Sequence, residues 1–60
     1  MADYTVTIIG QRKIDGITAA REAYNANIPI DNPGPFSTNG EYVQFVMDRA
    51  AESYANQYGL

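Results

Sequence analysis

Apolar and polar positions alternate near the start of the chain: Tyr4, Val6 and Ile8 fall on one side, Thr5 and Thr7 on the other. Period two in β-branched residues predicts a strand over about residues 3–9, because branched side chains suit a pleated surface. Ile9 interrupts the polar side and Gly10 ends the run. Gly10 to Lys13 reads as a turn carrying the adjacent bases Arg12 and Lys13. The period then becomes helical. Ile14, Ile17, Arg21 and Tyr24 step by three or four, and Ala19, Ala20 and Ala23 favour helix, which predicts a helix over about 14–26. Asp15 is placed as its N-cap or as a first-turn acid facing the helix dipole, and Gly16 weakens that turn by up to about 1 kcal/mol relative to alanine.

Residues 27–37 form a proline-rich connection, with prolines at 29, 33 and 35 removing backbone donors. "NIPI" (Asn27 to Ile30) is at best an edge strand because Pro29 lies inside it. Ile28, Ile30 and Phe36 indicate that part of this connection packs down. A second helix follows over about 39–58. Thr38 and Glu41 match a capping box, and Tyr42, Val43, Val46, Met47, Ala50, Tyr54 and Tyr58 follow at three- and four-residue steps, with Gly59 as the C-terminal cap. The expected core or interface comprises Ile17, Tyr24, Tyr42, Val43, Val46, Met47, Ala50 and Tyr54.

These elements leave one strand without an obvious partner. An isolated strand has unpaired N–H and C=O groups and is not stable alone. Length sharpens the problem, since a 60-residue domain buries only about 60% of the surface of its unfolded chain. Such domains are commonly stapled by disulfides, a metal or another chain. The chain has no Cys and no His, which removes disulfides and leaves no basis for a structural zinc or transition-metal site. Association is the remaining source of stability. The expected fold is therefore α+β in the order β-α-α, a single domain over 1–60, with Tyr4, Thr5, Val6, Thr7 and Ile8 forming an antiparallel two-stranded ribbon with a second chain.

Charge narrows the partners. Four Lys/Arg against seven Asp/Glu give a net charge of −3, the wrong sign for a default nucleic-acid or membrane-surface binder. Apolar residues make up 45% of the chain, enough for a folded protein, but no apolar run approaches the 18 or so residues of a membrane span. A cytoplasmic location is the plain expectation. Catalytic chemistry is not indicated, because the usual nucleophile–base pairs need His or Cys. Asp15, Glu22, Asp48 and Glu52 read as solvated helix positions, and the prolines of "DNPGPFSTNGE" stand where a calcium loop needs ligands. No enzyme and no cofactor are expected.

The second helix carries a resemblance. "NGEYVQFVMD", Asn39 to Asp48, resembles the corresponding helix of Arc-type ribbon-helix-helix proteins, agreeing at Asn39, Glu41, Gln44, Val46 and Met47. The order strand, helix, helix is similar to that family over nearly the whole chain. The chain is also similar to short reading frames of tailed phages, which implies a virion association as the alternative to the cytoplasm. The ribbon-helix-helix resemblance implies an obligate dimer whose strands enter the DNA major groove. Carried over, Thr5 and Thr7 would read bases, Arg12 and Lys13 would flank them, and Thr38, Asn39 and Gly40 would grip a phosphate. The strand's outward side lacks the Arg, Lys, Asn or Gln that make bidentate base contacts, and the connection between the helices is longer than the family's tight turn. The leading expectation is thus a non-catalytic, homodimeric protein-interaction module of structural, assembly or regulatory type, with an unspecified protein partner. The alternative is a ribbon-helix-helix DNA-binding transcriptional regulator, which the acidic balance disfavours.

Overall fold

A computed structural model describes residues 2–60. Among these residues there are two helices, α1 (Gln11–Ala26) and α2 (Asn39–Gln57), and no strand. The β-α-α, α+β expectation is therefore corrected to two helices joined by an irregular connection, and Tyr4, Thr5, Val6, Thr7 and Ile8 form no ribbon. No described segment of the chain runs beside residues 4–8 as a ladder partner. A period-two pattern prepares one face of a strand, but the ladder needs a second backbone. The intrachain alternative fails at "NIPI". Asp31 takes a positive φ of 67° and Asn32 N–H donates to the Pro29 carbonyl at 3.2 Å, so the chain turns there instead of running on.

Helix α1 starts three residues before the expected position. Its N-cap is Gly10 at φ 104°, with no side-chain hydrogen bond, and the N–H groups of Lys13 and Ile14 donate to the Gly10 carbonyl at 3.1 and 3.2 Å. A positive φ suits glycine, and that is what allows the chain to enter the helix at this angle. Asp15 is not the cap; it accepts a hydrogen bond from Gln11 Nε2 at 2.7 Å, one turn earlier.

Helix α2 is defined at both ends. Thr38 Oγ1 accepts from Glu41 N–H at 3.2 Å while the Glu41 carboxylate accepts from Thr38 N–H at 3.2 Å, so two orphan donors are satisfied reciprocally. At the other end Leu60 N–H donates to the Ala55 carbonyl (2.9 Å) and Gly59 N–H to the Asn56 carbonyl (3.3 Å), with Gly59 at φ 69°. This is the paired arrangement of a Schellman motif.

The helices meet through aromatic rings. Tyr24 of α1, Phe36 of the connection, and Tyr42 and Phe45 of α2 lie with centroids 5.0–6.3 Å apart in tilted and edge-on pairs. A polar lattice locks the connection beside them. Asn25 Nδ2 donates to the Phe36 carbonyl (2.8 Å), and Phe36 N–H donates to Asn25 Oδ1 (2.9 Å). Arg21 Nη1 donates to the same carbonyl (2.9 Å) and its Nε to Asn39 Oδ1 (2.8 Å). Asn39 Nδ2 reaches Thr18 Oγ1 at 2.9 Å. Both lone pairs of the Phe36 carbonyl are thus used, and the start of α2 is tied to the middle of α1.

Packing stops there. The Cα radius of gyration is 13.0 Å, whereas a compact 60-residue domain gives about 10.4 Å. The extents are 36 × 31 × 19 Å, so the body is a slab too thin to enclose a second layer of side chains. None of the described residues is buried.

Candidate functional site

An open groove of about 950 Å³ lies where residues 2–8 meet α1 and α2. Tyr4, Val6 and Ile8 line it from one side, Ile17 of α1 and Val43 and Met47 of α2 from the other. The alternate residues Tyr4, Val6 and Ile8 of the period-two pattern all line this groove, with Tyr4 86% and Val6 58% exposed. A second, smaller groove of about 380 Å³ lies against the first and shares Ile8, Ile17, Val43 and Met47 with it. Val46, Ala20 and Lys13 complete its walls. The two grooves form one apolar face. Three charged residues line it, Asp3 and Asp48 in the first groove and Lys13 in the second.

The expected core residues divide into two groups on this frame. Tyr24 and Tyr42 are half-buried in the ring cluster; Ile17, Val43 and Ala50 are half-buried on the helices. Val46, Met47 and Tyr54 are exposed, Met47 at 54%. Tyr54 stacks on Tyr58 with centroids 6.2 Å apart, one turn on along α2. Phe45 was not among the expected core residues, yet it completes the ring cluster, and the Arg49 guanidinium lies 5.3 Å from its ring centroid. The signal was present in the three-residue step from Tyr42 to Phe45. Arg49 thus takes a cation–π position over an aromatic face. The inter-helix role of Arg21, Asn25 and Asn39 was also missed, although Arg21 stands in the apolar stripe of α1, where a solvated arginine is out of place.

The residues assigned to DNA by resemblance are engaged differently or lie apart. Thr38 caps α2, and Asn39 is held between Arg21 and Thr18. Gly40 lines the first groove. Thr5, Thr7, Arg12 and Lys13 are exposed. The Glu41 carboxylate occupies the approach to the α2 N-terminus, accepting from Ser37 Oγ (2.9 Å), Ser37 N–H (3.0 Å) and Thr38 N–H (3.2 Å). The Ser37 hydroxyl and then these two amides hold its pKa below the ordinary carboxylate range. A phosphate at this helix start would meet a carboxylate already bonded to the amides it needs.

Among the described residues no group of three acidic side chains is gathered as a metal site, and no helix is long and apolar enough to cross a membrane. No protein-family model, curated protein or solved structure matches the chain.

Proposed function

We propose that this chain is a non-catalytic protein-interaction module that works through the apolar face shared by residues 2–9, α1 and α2. One observation carries the reading. None of the described residues is buried, while Val6 (58%), Met47 (54%) and their neighbours leave that face open to water. Contiguous exposed apolar surface of this kind marks a recognition site, and here Asp3, Lys13 and Asp48 are the charged residues that line it. The chemistry on offer supports binding over catalysis, because the chain has no His or Cys and its displaced acid, Glu41, is committed to a helix cap. The DNA-binding alternative gains nothing from the α2 N-terminus, where Thr38, Asn39 and Glu41 are engaged within the chain.

Photo-crosslinking tests the module directly. A benzophenone side chain at Met47 should form covalent adducts with protein, whereas the same group at Glu52, which does not line either groove, should form few. Equal yields at the two positions would defeat the proposal.

A further inference from the structure

We infer that the occupant of this face is a second copy of the same chain, docked across a two-fold axis that passes beside Met47. The inference rests on the interaction-module reading and names the partner of that same face. Its basis is an area that the single chain leaves uncovered. The chain exposes 5147 Å², whereas a compact protein of its 6.6 kDa mass exposes about 3,900 Å². The excess over the whole chain is about 1,250 Å², which sets an upper bound of about 2,500 Å² on what two copies meeting at this face would remove. That bound lies in the range of obligate homodimer interfaces, which run from about 2,000 Å² upward, and above the standard size of transient complexes. The radius of gyration makes the same statement from shape, at 13.0 Å against the roughly 10.4 Å of a closed domain.

The face is also built to meet itself. An isologous contact must be self-complementary, each patch answering the same patch on the other copy. Here the apolar centre is common to both grooves, through Ile8, Ile17, Val43 and Met47, and the charged residues of the two grooves carry opposite signs. A two-fold axis between the grooves sets the first groove of one copy against the second groove of the other. Lys13 then faces Asp3 and Asp48, and like charges are kept apart. The contact is side chain on side chain along α1 and α2, with residues 2–9 as a strap at its edge, and it requires no β ladder.

Sedimentation of the full chain at micromolar concentration tests the inference. The expected mass is twice 6.6 kDa, and Met47→Lys, at an exposed position, should return it to the single-chain value. If that variant does not stay helical, cysteine placement supplies the second reading, because the chain has no native thiol. Met47→Cys beside the axis should oxidise readily to a disulfide-linked pair, while Glu52→Cys should not. A wild-type chain at single-chain mass throughout the micromolar range overturns the inference, as does equal disulfide formation at the two positions. Single-chain mass together with Met47-specific photo-adducts to other proteins would reject the second copy and leave the interaction module standing. Single-chain mass with no position-specific adduct would remove both.

Discussion

At the scale of single residues, polar side chains join the two helices beside the four-ring cluster. Arg21 and Asn25 both donate to the Phe36 carbonyl, and Arg21 also reaches Asn39, so three separate stretches of chain converge on one backbone oxygen and one amide. Hydrogen bonds with a charged donor contribute more than neutral ones, about 1.5–3 kcal/mol each, and here they substitute for an enclosed core. Glu41 gives a residue-level prediction with a definite sign. Its folded pKa is held below the ordinary 4.5, chiefly by the Ser37 hydroxyl. A depressed folded value means that the carboxylate stabilises the fold at pH values above its unfolded pKa, and that this contribution fades as pH falls through the lower folded value. Ser37→Ala removes the largest cause, so the Glu41 titration midpoint followed by carboxyl NMR should move up toward the ordinary value. The acid side of the helicity profile should move up with it. An unchanged midpoint would show that the backbone amides alone set the acidity.

Elements differ in how far their own residues announce them. The limits of α2 were legible because each end carries a local device: Thr38 with Glu41 at the start, Gly59 at the finish, and a three- and four-residue apolar stripe between. The start of α1 was less legible because Gly10 caps it by backbone conformation alone, leaving no side-chain signature. The segment over residues 2–9 was misread as a strand for a different reason. Alternation reports which side chains share a face, and it is silent on whether a second backbone is present to pair with; here the alternating side chains line a groove against helices. The connection was the least legible, since Phe36 is held by amide and guanidinium contacts from Asn25 and Arg21 that have no period along the chain. Its packing nonetheless makes a sharp demand at Gly34. That residue sits at φ 130°, and a Cβ there would come within 3.1 Å of Ile28 Cδ1 and 3.2 Å of Tyr24 Cε2. Tyr24 also donates its hydroxyl to the Pro33 carbonyl, so its ring has little freedom to yield. Gly34→Ala should therefore lower stability by more than about 1 kcal/mol, measured by urea unfolding, since alanine meets both a disfavoured φ and a contact. Gly16, with open space around its position, provides the matched control: Gly16→Ala meets no such contact.

For the whole molecule, the governing fact is the mismatch between apolar content and burial. A chain with 45% apolar residues folds into a slab 19 Å thick in which no described residue is buried, and the pairing proposed above would supply the burial that a closed small domain normally provides. Charge opposes the pairing weakly. Two chains at −3 each carry −6 together, but the covered face itself is apolar, and salt screens what repulsion the remaining surface exerts. Folding coupled to pairing has a thermodynamic signature that a self-sufficient protomer lacks: the midpoint of thermal unfolding depends on protein concentration. A tenfold rise in concentration adds about 1.4 kcal/mol in favour of the pair, and with an unfolding entropy of about 2.1 cal/mol/K per residue over both chains the midpoint should rise by about 6 °C. Circular dichroism melts across a hundredfold range of concentration would resolve that slope easily. Screening salt should raise the midpoint modestly, and sulfate should raise it further, because it strengthens apolar burial as well as screening the acidic exterior. A midpoint that ignores concentration would mean that the apolar face stays uncovered at equilibrium. The single chain would then have to hold its shape on the four-ring cluster and the Arg21–Asn25–Asn39 lattice alone.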